Sequence, residues 1–505
     1  MNVGLPATNE EAWELASRWG AAGEMNALEA FMWRAEASDP RMRSPIVIVE
    51  MLDSAPDWDR LRAAHQWAAE LIPRIRMKVA EPPFQLGPPM WVEDDDFDLD
   101  YHLQRVRAPE PGTARHVLDL AAQMAMTPFD RERPPWEALV VEGLEGNRTG
   151  FIVKVHHSAT DGLGGVQLMS LLHSRVREHS PKKPVGSRAP AASRPGVLAA
   201  FERLPRRLAA APRAAARSVA QGADAIHGAV SDPIGTVSTA VRLGSSLQRI
   251  VSPPPAPPSP LLGGRSLNWR FDVMEVGLTE LKSAARAAGG SVNDGYVAAV
   301  LGGIRLYHEA MGTSIEYLPM SMPVSLRTAE QPMGGNRFGG IRFAAPAGEP
   351  DPVARIQTVR EFVLDSRAEP AAMALDVLAP ILGALPAPLV TNWYVAQSSR
   401  IDLQASNMAG LPHSVFLAGA QIERMFPFGP LPGCAVMAAL LSYAGTCCIG
   451  FNTDRAAVTD PALFVECMRL GLEEVLTHKH RRPPKGSPPR SGRRRQARAA
   501  DRRRP

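Results

Sequence analysis

Cysteine is scarce in this sequence and has no framework spacing. All four cysteines fall in the last fifth of the 505 residues, at Cys434, Cys447, Cys448 and Cys467. A disulfide between the adjacent pair would be strained, so the cysteines predict a chain that works in a reducing compartment. The first residues, MNVGLPATNEEAWELA, lack the basic and apolar regions of a secretory signal, and we expect none.

Long apolar runs are also missing. The two longest cover residues 374–390 and 431–449, and they are interrupted, the first by Asp376 and three prolines and the second by glycines and Ser442. A membrane-spanning helix needs about 20 continuous apolar residues, so we predict none, and peripheral membrane association stays open. The absence of HExxH and CxxC patterns predicts no metal site, and the absence of GxSxG fits a reaction without a serine nucleophile. We also expect no cofactor.

Charge is abundant but unevenly distributed. There are 56 Lys and Arg against 52 Asp and Glu, a net charge of +4, and 45% of the residues are hydrophobic, as in an ordinary globular protein. Residues 479–505 carry +11 and residues 181–265 carry +9, which leaves −16 for the rest of the chain. The body is therefore acidic, while the two basic segments have the composition of linkers and tails.

These composition changes divide the chain into four parts. We predict an N-terminal lobe over 1–180, a basic crossover linker of loose helices over 181–265, a C-terminal lobe over 266–477 and a disordered basic tail over 478–505. Apolar residues at helical spacing predict helices over 57–75, 114–126, 278–288 and 291–311. Strand patterns cover 45–52, 149–157, 318–324 and 339–344, with a hairpin over 434–452 that turns at Ala444 and Gly445. The sequence therefore predicts an α/β (α+β) protein of two lobes.

The residues with catalytic potential are concentrated in one segment, VKVHHSATDGLGG, at residues 153–165. His156 and His157 end a predicted strand, and adjacent strand residues point to opposite faces, so only one of them can face a given cleft. If His157 does, it can remove a proton from a hydroxyl or amine, because histidine titrates near neutral pH. A histidine pair also occurs in protein cores, bound to backbone groups, but its place at a strand-to-helix turn favours a catalytic site.

The turn that follows the histidines leads into a helix predicted over 166–173. Asp161 is better placed to pair with an arginine than to contact His157, because the turn points the two side chains apart. Gly162 suits either a turn with positive φ or a close approach of substrate.

The segment HHSATDG resembles the HHxxxDG motif of CoA-dependent acyltransferases and peptide-synthetase condensation domains. Further blocks are similar to those of the bacterial wax ester synthase/diacylglycerol acyltransferase family: PFDRERPPWE at 128–137, SVND at 291–294, PVSLR at 323–327, GGNRF at 334–338, ASNMAG at 405–410 and ERMFPFGPLPG at 423–433. The resemblance covers residues 26 to about 476. The chain departs from the family's N-terminal SPxD block, where it has Asn26, Ala27 and Glu29, and it has Pro135 where Leu is usual.

The resemblance implies a two-lobed fold like that of chloramphenicol acetyltransferase, with the active site in a tunnel between the lobes. It implies transfer of a long-chain acyl group from acyl-CoA, as co-substrate, to diacylglycerol or a long-chain alcohol, with His157 as general base beside His156 and Asp161. It also implies Arg327 as the partner of Asp161. For two residues the sequence leaves two roles open. Trp136 is either a packing residue or a substrate contact, and Asn293 is either the N-cap of its helix or an active-site residue.

Two other classes of protein remain possible from the residues alone. A condensation enzyme would use the same histidine with a carrier-protein thioester, although the C-terminal blocks argue against it. A lipid-surface protein would depend on the basic tail, which suits an anionic membrane better than nucleic acid because it has no aromatic residue to stack on bases. We therefore expect a cytoplasmic enzyme at the inner face of the plasma membrane or at lipid inclusions.

Overall fold

The computed structural model describes residues 23–85, 87–179, 256–325, 338–367 and 387–478. The predicted crossover linker up to residue 255, the tail from residue 479 and the predicted partner Arg327 lie outside these ranges.

The first half of the described chain alternates strands and helices. In order they are β1 (Gly23–Glu24), α1 (Ala27–Ser38), β2 (Pro45–Leu52), α2 (Trp58–Leu71), β3 (Met77–Ala80), β4 (Met90–Glu93), α3 (Leu99–His102), β5 (Leu103–Arg107), α4 (Ala114–Met126), β6 (Trp136–Glu142), β7 (Thr149–His156) and α5 (Gly162–Leu172).

The second half continues the mixture. In order its elements are β8 (Trp269–Gly277), α6 (Leu278–Ala287), α7 (Val292–Ala310), β9 (Leu318–Ser325), β10 (Phe338–Ala345), α8 (Pro352–Arg367), α9 (Ala387–Ser398), β11 (Leu403–Ala409), β12 (Phe416–Leu417), β13 (Ala420–Phe428), β14 (Val436–Tyr443), β15 (Thr446–Asp454) and α10 (Pro461–Thr477).

Several local predictions agree closely with these elements. The helix expected over 114–126 is α4, and the expected hairpin is β14–β15, where Ala444 and Gly445 both have positive φ. The helix expected over 57–75 ends earlier, at Leu71, and a 3₁₀ turn, Pro73–Arg76, follows it. Proline has no N–H to donate and disfavours helical backbone in the residue before it, so Pro73 accounts for the early end.

The strands form two six-stranded sheets and one small sheet. The first sheet has the order β12-β13-β2-β7-β6-β5, the second has the order β10-β9-β11-β14-β15-β8, and the small one is β1-β4-β3. This arrangement of helices and sheets is the predicted α/β class with two lobes.

One strand crosses from the second half of the chain into the first sheet. β13 pairs antiparallel with β2, with Phe426 opposite Val49, and β12 extends the sheet beyond β13. The first sheet therefore takes two strands from the residues predicted for the C-terminal lobe.

Both faces of the first sheet are covered by apolar side chains. Ile152 of β7 lies in the cluster that includes Val117 and Ala121 of α4. Phe151 and Val153 lie in the opposite cluster, which includes residues of α2 and α5 and also Leu441 and Tyr443 of the second sheet. The first cluster also includes Phe271 and Met437 of the second sheet, so both clusters join the two lobes. We call the side of Phe151 and Val153, where α5 packs, the inter-lobe face.

The structure also bears on the cysteines and on the expected absence of a membrane-spanning helix. All four cysteines are free and buried. Within the described ranges, no helix combines the length and the apolar character needed to cross a membrane.

Candidate active site

The histidine pair lies where β7 ends between β2 and β6. His156 is the last residue of β7 and is opposite Pro45 of β2, and the backbone N–H of His157 donates to the carbonyl oxygen of Ser44 at 2.7 Å. The strand pairing thus extends to His157, and the alternation of side chains continues with it.

This alternation decides which face each histidine occupies. Phe151 and Val153 are on the inter-lobe face, so His157 is on it too, and its side chain is half-buried there. His156 is on the opposite face and is almost completely buried. His157 is therefore the more accessible of the two histidines, and its role as the base stays a prediction.

His156 is held on both ring nitrogens. Its Nδ1 accepts from the backbone N–H of Ser158 at 3.0 Å, and its Nε2 lies 2.9 Å from Oε2 of Glu36. Because a backbone N–H can only donate, Nδ1 is unprotonated, and the neutral ring carries its hydrogen on Nε2 and donates it to Glu36. His156 therefore anchors the turn through Ser158 and α1 through Glu36.

Glu36 is a site residue that the sequence patterns did not predict. Its Oε2 also accepts from the backbone N–H of Ser44 at 3.3 Å, and Ser44 in turn accepts from His157. Burial raises the pKa of Glu36, but the contact with His156, the backbone N–H of Ser44 and the charge of Lys154 outweigh burial, and the pKa is below the ordinary value. One carboxylate therefore ties the end of β7, which carries the histidines, to the start of β2.

We expect Glu36→Ala and His156→Ala each to lower the free energy of unfolding by about 1.5 to 3 kcal/mol, the usual effect of losing a hydrogen bond to a charged group. The double variant should cost little more than the larger single change, because both remove the same interaction. Denaturant unfolding of the four proteins measures this coupling. As a control, Glu36→Ala combined with the exposed Arg469→Ala of α10 should be additive. Additive losses for Glu36 and His156 would contradict the proposed pairing.

A second buried charge lies on the same side of β7 as His156. The Nζ atom of Lys154 is 3.3 Å from Oε2 of Glu137, donates to the carbonyl oxygen of Thr127 at 2.9 Å and lies 3.9 Å from the centroid of the Phe129 ring. Burial lowers the pKa of Lys154. These contacts fix β7 on the side of the sheet opposite the inter-lobe face.

Asp161 begins the helix that follows the histidines. Its Oδ1 accepts from the backbone N–H of Gly164 at 2.8 Å, so Asp161 is the N-cap of α5. The helix therefore starts at Gly162, four residues before the predicted start, and the expected positive-φ turn at Gly162 is wrong because its backbone is helical. Gly164 has no room for a side chain, since a Cβ atom there would lie 2.4 Å from Oγ1 of Thr160.

Trp136 borders the inter-lobe face beside the histidines. It is opposite Val155 of β7, and its half-buried indole donates from Nε1 to the carbonyl oxygen of Ile75 at 2.8 Å. Its ring stacks on His102 with centroids 4.6 Å apart, and Nδ1 of His102 lies 2.7 Å from the carbonyl oxygen of Trp136. Burial lowers the pKa of His102, which favours the neutral imidazole in this stack; sequence reasoning missed this residue.

Asn293 is not the cap of its helix. Ser291 is the N-cap of α7 and Asp294 completes a capping box, with Oδ2 of Asp294 accepting from the backbone N–H of Ser291 at 2.8 Å. The capping interpretation of Asn293 is therefore wrong, and the active-site interpretation of this half-buried residue stays a prediction.

The N-terminal departure from the family pattern has a structural counterpart. Asn26 accepts from the backbone N–H of Glu29 at 2.9 Å, and Glu29 accepts from the backbone N–H of Asn26 at 3.1 Å. The two residues form a capping box, so α1 has a well-defined start without the usual SPxD residues.

No group of three or more His, Cys, Asp or Glu side chains is arranged to hold a metal ion in the part of the chain that the structure describes. A cavity of about 270 Å³ lies elsewhere, where β13 meets the β14–β15 hairpin. It is lined by Ser414, Gln421, Ile422, Glu423, Arg424, Tyr443, Ala444 and Thr446.

Two six-stranded sheets, a histidine pair at the end of a strand of the first sheet and an Asp-capped helix after it form the arrangement expected of acyltransferases of the HHxxxDG class. The wax ester synthase/diacylglycerol acyltransferase catalytic domain matches residues 25–296, and the C-terminal domain of the same family matches residues 334–475. The chain belongs to the wax ester synthase/diacylglycerol acyltransferase family, which confirms the family, fold and enzyme class predicted from the sequence.

Relatives of known sequence are found in Mycobacterium tuberculosis. A protein of strain H37Rv named as a candidate diacylglycerol O-acyltransferase, Rv2484c, is 39% identical over 460 residues, which cover 90% of this chain and 91% of that protein. Another with the same description, Rv1760, is 27% identical over 434 residues, which cover 82% of each chain.

Solved structures share the fold. The wax ester synthase/diacylglycerol acyltransferase from Marinobacter aquaeolei VT8 matches with a TM-score of 0.59 at 20% identity, over 91% of this chain and 100% of that one. The first condensation domain of the calcium-dependent antibiotic synthetase, bound to a substrate analogue, matches with a TM-score of 0.58 at 14% identity, over 91% and 96% of the two chains. At these identities the likeness concerns the fold alone.

Proposed function

We propose that the protein transfers a long-chain fatty acyl group from acyl-CoA to the hydroxyl of diacylglycerol, and that a long-chain alcohol is its second acceptor. Membership of the family supports the reaction class, and the names of the mycobacterial relatives support diacylglycerol as the acceptor. The placement of His157 on the inter-lobe face, with His156 fixed behind it, is the observation that carries the proposal.

The chemistry follows from a single base. His157 removes the proton of the acceptor hydroxyl while the oxygen attacks the thioester carbonyl carbon, and the carbonyl oxygen takes up negative charge. When the tetrahedral intermediate collapses, the carbon–sulfur bond breaks, and the CoA sulfur takes the proton back from the His157 imidazolium. The ester and free CoA are the products, and no acyl-enzyme is formed.

The other residues of the motif have positioning roles in this proposal. Asp161 fixes the start of α5 and pairs with Arg327, and the hydrogen bonds of His156 with Glu36 and Ser158 fix the end of β7. Gly162, Trp136 and Asn293 line the substrate path. Acyl-CoA acts as co-substrate, and no cofactor takes part.

An acceptor assay tests the proposed function. Purified protein is incubated with radiolabelled palmitoyl-CoA and diacylglycerol, hexadecanol or no acceptor, and the lipid products are separated. We expect labelled triacylglycerol, with wax ester as the second product. Labelled free fatty acid alone, or turnover only with a carrier-protein thioester, would refute the proposed reaction.

We also propose that the protein acts at an anionic lipid surface, at the inner face of the plasma membrane or on lipid inclusions. The support is the charge of the sequence, since residues 479–505 carry +11 while the body is acidic. Each basic residue near an anionic membrane contributes about 1 kcal/mol of attraction, which salt weakens.

Deletion of residues 479–505 is expected to reduce sedimentation with phosphatidylglycerol vesicles at low salt. Turnover on detergent-dispersed acceptor should stay within about twofold, because the match to the family's C-terminal domain ends at residue 475, before the deleted residues. Phosphatidylcholine vesicles are the matched control, since they carry no net charge. Equal vesicle binding by the full-length and shortened proteins would exclude a membrane role for these residues.

A further inference from the structure

One arginine beside the candidate active site has buried N–H groups without a hydrogen-bonded anion among the described residues. Arg74 lies in the 3₁₀ turn Pro73–Arg76 and places its guanidinium carbon 3.8 Å from the centroid of the Trp91 ring. Its Nε and Nη1 atoms are buried, and neither finds a hydrogen-bond partner among the described residues. The indole Nε1 of Trp91 is a third buried donor in the same situation.

Burial of this guanidinium is unfavourable as it stands. It lowers the pKa of Arg74 to about 10, and the negative charge of Glu29 offsets the effect only in part. Buried charges in proteins are normally paired, and buried N–H groups normally have acceptors. Donors that remain unpaired at one place therefore indicate a ligand with negatively charged oxygen atoms.

Two sets of contacts place Arg74 near the histidine pair. Trp91 packs in a cluster with Ala159, which follows the histidines, and with Val155 of β7. The neighbour of Arg74, Ile75, accepts the indole hydrogen bond of Trp136, which borders the inter-lobe face. The turn that carries Arg74 therefore lies at the edge of the face that His157 occupies.

We propose that Arg74 binds a phosphate group of the acyl donor. Of the two proposed reactants only acyl-CoA is charged, because diacylglycerol and long-chain alcohols are neutral. The planar guanidinium is always charged and holds its N–H groups in fixed directions, so Nε and Nη1 can each donate a charge-assisted hydrogen bond to a phosphate oxygen. This inference rests on the proposed function, since it assigns the site to that reaction's donor.

The test compares two donors that differ in their phosphate groups. Palmitoyl-CoA carries them, and the palmitoyl thioester of N-acetylcysteamine does not. Arg74→Gln should raise KM for palmitoyl-CoA by about 10- to 100-fold, as expected for a lost charge-assisted hydrogen bond. With the phosphate-free thioester, kcat/KM should stay within about twofold of the wild type. Arg62→Gln, which neutralises an exposed arginine of α2, is the matched control and should change neither.

Binding of free CoA gives a measurement that does not need turnover. CoA should raise the melting temperature of the wild-type protein and of Arg62→Gln, and it should raise that of Arg74→Gln much less. Equal losses with both donors would show that Arg74 only supports Trp91, and unchanged kinetics with both would show that it binds no phosphate. A wild-type protein that binds CoA through Arg74 yet transfers no acyl group would refute the proposed function and leave the phosphate site standing.

Discussion

Replacement of His157 by alanine should reduce kcat for acyl transfer by about 10² to 10⁴-fold, the usual contribution of a positioned general base. The melting temperature should change little. The His157 side chain is half-buried on the inter-lobe face, and its backbone N–H bond to Ser44 does not depend on the side chain. Steady-state kinetics with palmitoyl-CoA and diacylglycerol, together with thermal unfolding, measure both effects.

His156→Ala is the matched control for this prediction. It removes a neighbouring imidazole that points the other way, so we expect a clear loss of stability and a smaller loss of activity. A His157→Ala protein that keeps more than a tenth of the wild-type rate would remove the base from the mechanism. Equal losses of activity from both variants would mean that the two histidines act jointly.

Asp161→Ala should lower the melting temperature and the turnover together. The buried carboxylate caps α5 through Gly164, and the loss of an N-cap costs about 1 to 2 kcal/mol of stability. If Asp161 also pairs with Arg327, as the family resemblance implies, the loss of one partner of a buried ion pair adds about 3 to 5 kcal/mol.

Asp161→Asn separates these two contributions. Asparagine is as good an N-cap as aspartate but carries no charge, so this variant should keep the helix start and lose only the ion pair. Thermal unfolding and kcat of the two variants, compared with the wild type, give each part. An unchanged melting temperature with a collapse of turnover would place Asp161 in the chemistry and overturn its structural role.

The local parts of this structure could be predicted from the sequence because their causes are local. The apolar spacing of residues 114–126 gives the bounds of α4, and the Ala444–Gly445 pair marks the hairpin turn. The HHxxxDG spacing also identifies which segment carries the histidines. The prediction that only one of them can face the cleft follows from strand alternation alone, and the different burial of His156 and His157 is in keeping with it.

The missed features depend on contacts between distant parts of the chain. Glu36 lies 120 residues before His156, and its helix gives no sign of its partner. The sequence does not distinguish Arg74 from the surface arginines, because it does not show which N–H groups become buried. Nothing in residues 420–428 indicates that β2 is their neighbour in the first sheet. Apolar patterns report burial, and partners are decided by tertiary packing.

Because β13 belongs to the first sheet, that sheet can be completed only late in translation of the chain. His157 is synthesised about 270 residues before β13 is complete, an interval of roughly 15 to 55 s at common rates of translation. During that time β2 has a free edge, and such edges invite pairing with other chains. A nascent chain that stops before Phe428 therefore has every motif histidine and an incomplete sheet, so we expect it to need chaperone protection and to show no turnover.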